Sequence, residues 1–470
     1  MLNLLIKPFW LFGIEVGVQN TVGAESYGLY LALFNFSLIF NIILDLGITN
    51  FNNKNIAQNN QLLSKHLSNI VTIKFSLAIV YSIVTIAIAF LIGWDSVKIT
   101  LLMFLMFNQF LSSFILYLRS NLSGLHLFKT DSMISVLDKI LMIIFVGYLL
   151  INPETNQKGV FKIEWFIYAQ TLAYLSTLII TFLILFRKLD FFKIRFDRTF
   201  FIAFFKKSYP YALLVLLMSS YNRIEPIMLE RLLDIDGAYQ AGIYAQAYRI
   251  LDASSQFSML FAMLLLPIFA KMIKDKNDVG ELVQFSFSLI ITPALILAIA
   301  SLNYSTELMS LLYHEHIEIS ARLLGVLMLG FVFISTTYIF GTLLTANGSM
   351  KQLNIMAIFG MLFNVGINLY LIPNYMAEGA SYSSLLTQGL TAIIQVFIAY
   401  KIFKFKINYQ YLLKLISFII SIVALGYYST QITSNWQINI SIFIIGSGII
   451  AFGTKLIGIK AIYRIIKYDE

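Results

Sequence analysis

About fourteen apolar runs of roughly 20 residues follow one another along this chain of 470 residues, separated by short polar breaks. They begin at Met1 and Gly28 and continue through Ile163, Tyr209 and Ala241 to Tyr411 and Ile438. A run of that length spans a hydrocarbon core of about 30 Å as a helix, and lipid offers the backbone no other way to pair its polar groups. Hydrophobic residues make up 59% of the chain and charged ones 12%, where a soluble surface needs about 25% charge. The expected fold class is therefore an all-α integral membrane protein. The first run lacks a basic lead-in and ends at "QNTVG", so it reads as a span and not as a cleaved leader.

Basic residues set the expected orientation, because Lys and Arg are retained on the cytoplasmic side. With the N-terminus inside, about 21 Lys and Arg fall in cytoplasmic segments and about 4 in exterior ones. An even number of spans puts both termini in the cytoplasm. The net charge of +9 then reports topology, and a nucleic-acid partner has no soluble basic domain to rest on. There is no cysteine, and the four histidines form no spaced ligand set, so neither a metal nor another cofactor is expected. His314 and His316, with Glu315 and Glu318, read as a solvated exterior loop.

The octet "GAESYGLY" at residues 23–30 returns as "GAYQAGIY" at residues 237–244, with Gly, Ala, Gly and Tyr at the same spacing. One copy falls at the exterior turn between the first and second spans, the other between the seventh and eighth. A basic connection at 187–208 lies between spans six and seven. The expected organisation is an N-terminal six-helix bundle (1–186), that connection, a second six-helix bundle (209–403), and a terminal helix pair with a tail (404–470). Because an even number of crossings separates the copies, the halves form a parallel repeat about an axis along the membrane normal. Such halves are the usual build of an alternating-access carrier.

The runs "VGAESYGLYLALFNFSLIFNIILDLG" and "AGIYAQAYRILDA" followed by "LLLPIFAKM" resemble the signatures of the two halves of Wzx-type flippases. These polysaccharide repeat-unit (O-antigen, capsule, exopolysaccharide) carriers belong to the multidrug/oligosaccharidyl-lipid/polysaccharide exporter superfamily. The resemblance covers nearly the whole chain. It falls on Gly23, Gly28 and Tyr30 in the first half and on Gly242, Tyr244, Ala247, Tyr248 and Arg249 in the second. In the seventh span relatives carry Asp four residues before Leu, where this chain has Glu225 before Leu229. The resemblance implies a V-shaped 6+6 carrier in the bacterial cytoplasmic membrane. It would move an undecaprenyl-pyrophosphate-linked oligosaccharide to the periplasmic leaflet, alongside membrane lipids, a polysaccharide polymerase and glycosyltransferases as partners.

Ionisable residues inside apolar spans are costly and point to function. The cluster "SSYNRIEP" at 219–226 supplies Arg223, Glu225 and Pro226, and the eighth span supplies Arg249. With Lys139 of the fifth span, Arg223 and Arg249 are the expected pyrophosphate-binding residues, since guanidinium and ammonium groups compensate phosphate charge. A structural reading pairs Arg249 with Asp252 at i, i+3. Glu15 and Glu225 are the ion-coupling candidates, because burial disfavours a charged carboxyl. Pro226, Gly23, Gly28, Gly237 and Gly242 are the gate and hinge candidates, Pro for its missing N–H, Gly for positive φ and close approach. Lys74 and Arg119 are expected to reach back to the cytoplasmic interface.

Three alternatives remain open on the sequence: a lipid II flippase, a drug or cation exporter of the same fold, and an integral-membrane polymerase or glycosyltransferase. A cation exporter would need acidic cavity residues. A membrane enzyme would present a large exterior loop, and the longest here, about 302–321, has connector length. An enzyme is not expected. No G-x-x-x-x-G-K-[ST] loop occurs, so transport would draw on an ion gradient or on consumption of its product.

Overall fold

The computed structural model describes residues 6–59, 61, 63–155, 159–189, 198–406 and 408–456, and every regular element among them is helical. Part of the basic connection, residues 190–197, and the tail from 457 lie outside the described residues. By internal contacts the chain divides into two compact units, Met1–Gly242 and Ile243–Glu470.

The first unit opens with α1 (Ile6–Ile39), which is broken at Gly23, φ +82° and ψ 173°. The chain reverses there. Trp10 and Tyr30 both contact Phe166, with ring centroids 5.9 and 5.2 Å away, whereas twenty residues of continuous helix would separate them by about 30 Å. A second break comes next: a 3₁₀ turn at Asn41–Leu44 leads to α2 (Ile48–Gln58), bent by 47° from α1. Asn52 seats α2 by donating to Ser120 Oγ and Asn121 Oδ1 at 2.9 and 3.0 Å.

Four helices follow in the first unit: α3 (Leu63–Leu91), α4 (Ser96–Gly124), α5 (Phe128–Ile151) and α6 (Ile163–Phe186). Asp95 caps α4 by accepting from the Lys98 backbone N–H. The apolar core at this end gathers Leu46, Ile56, Leu67, Tyr117, Leu122 and Leu185.

Residues 198–208, expected within the basic connection, form the first turns of α7 (Arg198–Arg223), because a nucleated helix extends past its apolar core at little cost. A 52° bend at Ile224 separates α7 from α8 (Glu225–Leu232), and α9 (Gly237–Lys274) runs from the first unit into the second.

In the second unit α10 (Gly280–Asn303), the short α11 (Ser305–Leu312) and α12 (Ile317–Ala346) precede α13 (Met350–Phe403). That 54-residue element is broken at Met376, φ 53° and ψ −131°. Asn364 Nδ2 donates to Thr387 Oγ1 at 3.1 Å, a pair that about 34 Å would separate on a straight helix, so α13 is a hairpin. The terminal helices α14 (Tyr409–Ser429) and α15 (Trp436–Gly453) share an apolar core with α10 through Phe418, Ile422, Phe443 and Ile291. Tyr304 and Ser429 hydroxyls pair at 2.6 Å beside it.

Among the described residues ten helices are long and apolar enough to cross a membrane, twelve when each bent pair is taken as one span. Dividing α1 and α13 at their reversals brings the twelve to fourteen. The chain is a multi-pass α-helical membrane protein.

Candidate functional site

The two octets meet. A Cβ added at Gly28 would overlap the carbonyl oxygen of Ala238 and the backbone N of Gly242, and one added at Gly242 would overlap the carbonyl of Ala24. Gly28 and Gly242 are the sixth residues of their octets, and Ala24 and Ala238 the second, so the crossing is reciprocal. Absence of both Cβ atoms lets the two backbones touch, as small residues do at helix crossings in membranes. Gln19 adds a buried hydrogen bond from its amide to the Gly242 carbonyl, 2.8 Å. The other two glycines serve different needs. Gly23 takes the positive φ of the reversal, and Gly237 lies where a Cβ would meet the Glu230 carbonyl.

The break in "YNRIEP" arises from its own residues. Pro226 occupies the first turn of α8, where its missing N–H costs nothing, and the bend falls immediately before it. Arg223 ends α7 and Glu225 begins α8, the signs that suit the two facing helix dipoles. Arg223 NH1 donates to Asn35 Oδ1 at 3.0 Å, and Glu225 is fully buried. Glu230, also buried, accepts from Trp94 Nε1 at 2.8 Å and from Lys98 Nζ at 2.6 Å, which fastens α8 to the first turn of α4 and the connection before it.

Lys139 sits in a different group of the same unit. Its ammonium lies 5.3 Å from the Trp10 ring centre and 5.7 Å from that of Tyr174, with Asp138 Oδ2 at 3.4 Å. Trp10 Nε1 donates to Glu15 Oε1 at 2.9 Å. Lys139 and Glu15, read from the sequence as candidates for separate roles, are thus joined through one indole. Asn35, Trp10 and Tyr174 were not singled out by sequence reasoning. Aromatic residues are too common in membrane helices to signal a role by type alone.

Lys74 corrects an expectation. Instead of reaching back to the interface it is 1% exposed, and it donates to Asp45 Oδ1 (2.6 Å), the Leu44 carbonyl (2.9 Å) and Ser113 Oγ (3.0 Å). The 3₁₀ break frees the Leu44 carbonyl, which accepts from the buried ammonium and, at 3.4 Å, from Ser113 Oγ. Arg119 pairs with Asp131 at 2.7 Å.

Arg249 belongs to the second unit, where it is buried beside the stacked pair Tyr244 and Tyr248 in sequence, whose rings are 5.5 Å apart. That unit also holds a buried polar seam. Asn368 donates to Asn364, Asn364 to Thr387, and Gln395, two turns beyond Thr387, lies fully buried against Gly341. Its spacing of about four residues on one helical face inside an apolar run was a readable signal in the sequence.

These features define a class: a multi-pass helical membrane protein with broken spans and charged groups held inside them. Within that class the chain belongs to the family described as "Polysaccharide biosynthesis protein", whose sequence profile matches residues 11–273. No curated protein sequence matches the chain significantly. Among solved structures, lipid II flippase MurJ in an inward closed conformation is similar at a TM-score of 0.69 and 14% identity, over 99% of each chain. A multidrug resistance MATE family transporter of the MOP superfamily, inward-facing, is similar at 0.68 and 15% identity, over 84% of this chain and 94% of that one. A MOP superfamily transporter from Pyrococcus furiosus Vc1 gives 0.55 and 14% identity, over 86% and 92%. At such identities the likeness establishes the fold.

Proposed function

We propose that the chain is a flippase for a polysaccharide repeat unit, an oligosaccharide linked to undecaprenyl pyrophosphate. It moves this substrate across the bacterial cytoplasmic membrane by alternating access between two parallel-related six-helix halves, and both its termini are cytoplasmic. The observation that carries this reading is the retention of basic side chains, Lys139 and Arg223, within apolar spans of a polysaccharide biosynthesis family member. An unbalanced cation at such depth costs at least about 2.5 kcal/mol, so it persists where it faces protein, water or an anion. Lys139, Arg223 and Arg249 hold the pyrophosphate during passage, Arg by its planar fork and Lys as a point charge. Glu15 and Glu225 serve ion coupling, and the octet crossing with Pro226 serves gating. Glycosyltransferases would supply the substrate and a polymerase would consume it; the chain itself catalyses no reaction.

Lipid II transport is the second reading, favoured by the 99% coverage in both directions against a lipid II flippase. Complementation separates the two. The chain should restore surface polysaccharide in a strain lacking its repeat-unit flippase and leave a lipid II flippase depletion uncorrected. The opposite pattern would replace the first reading by the second.

A further inference from the structure

The segment Phe9–Glu15 is a π-helix. That form accounts for well under 1% of residues, and inside α-helices it marks functional positions. On an α-helix residues five apart point about 140° away from one another. The wider turn instead brings Trp10 and Glu15 to one face, where the indole holds the carboxylate at 2.9 Å. Phe166 stacks on the same indole, 5.9 Å away and 9° from parallel, and fixes its plane. Lys139, 5.3 Å from the centre of that ring, shares the indole with Glu15 and keeps 22% of its side chain exposed. Helix α5 is held against this segment by Gly17 meeting Leu150 and Gly147 meeting Ile14.

A lysine inside an apolar helix is held by counter-charges, polar groups or water. Asp138 is its chain neighbour and moves with it. Glu15 stands on another helix, at the end of the π segment, where conversion of the wide turn to an α turn shifts the register by one residue and rotates the remainder of the helix by about 100°. We propose that Glu15 is a displaceable counter-ion: it balances Lys139 while no substrate is bound, and the substrate's pyrophosphate takes its place. This inference rests on the anion-binding reading of Lys139 given above. The π segment supplies the motion by which the carboxylate withdraws, so anion arrival and rearrangement of the first span become one event.

The test is calorimetric titration of purified protein with farnesyl pyrophosphate, using wild type, Glu15→Gln, Lys139→Gln and the double variant, each checked for monodispersity. Removing the competing carboxylate should tighten binding at least about five-fold, and Lys139→Gln should weaken it at least about ten-fold. The double variant should bind no tighter than Lys139→Gln alone. Glu15→Asp, which withdraws the carboxylate by one methylene, should also tighten binding and serves if Glu15→Gln does not fold. Wild-type binding that neither Glu15 variant tightens overturns the counter-ion role and leaves the anion site standing. Absence of binding by wild type overturns both.

Discussion

Lys74 acts as the third partner that a broken membrane helix needs. The bend at residues 41–47 leaves the Leu44 carbonyl without its helical donor, and the ammonium meets that oxygen together with Asp45 and Ser113. Replacing one member of a buried ion pair typically costs about 3–5 kcal/mol, because the other charge stays behind. Lys74→Met should therefore lower thermal stability in detergent sharply, and the Lys74→Met, Asp45→Asn double variant should recover part of the loss. Equal unfolding temperatures for wild type and the single variant would contradict the assignment. Gly28 makes a second forecast at this scale. Gly28→Ala forces a methyl into the Ala238 carbonyl, and overpacking of this kind costs about 1–3 kcal/mol or more. Gly242→Ala should match it by reciprocity, and Gly13→Ala, with open space around its Cβ, should be tolerated. The measurement is thermal unfolding of the three variants side by side.

At the level of elements, the apolar runs were legible because bilayer thickness dictates their length. The sixth helix begins at Ile163, where its apolar run does, but others begin a few residues ahead. Gly237, Tyr409 and Trp436 open helices whose apolar runs begin at Ala241, Tyr411 and Ile438, since helices carry on into the polar interface. Breaks within a span were less legible. Pro226 signalled the bend at Ile224 through its missing N–H. Nothing in "FWLFGIE" marks a π turn, and nothing in "NIIL" marks a 3₁₀ break, because the groups that meet them, Phe166 and Lys139 at Trp10 and Lys74 at the Leu44 carbonyl, come from distant helices. The hairpin at Met376 yields a direct check in a chain that has no native cysteine. The single variants Lys351→Cys and Lys401→Cys should react with an impermeant thiol reagent from one side of the membrane, and Tyr375→Cys from the other. Labelling of positions 375 and 401 from the same side would contradict the reversal.

For the whole molecule, the repeated octet carried more than its spacing revealed. The sequence placed the copies in equivalent slots; the structure adds that they touch, Gly28 against Ala238 and Gly242 against Ala24. Which charged residues would gather was harder to foresee, because depth along a span is readable from a sequence and azimuth between helices is not. Lys139 thus joins Glu15 through Trp10, Arg223 meets Asn35, and Arg249 lies in the second unit. The proposed function has basic residues inside these spans carry a pyrophosphate-linked sugar across the bilayer. Its most direct measurement uses purified protein in liposomes with a fluorescent undecaprenyl-pyrophosphate oligosaccharide, following loss of inner-leaflet label to an external glycosidase. Wild type should accelerate transfer, Arg223→Lys should retain part of that rate, and Arg223→Ala should lose at least about nine-tenths of it while inserting normally. Transfer by Arg223→Ala at the wild-type rate, or no acceleration by wild type, would contradict the claim.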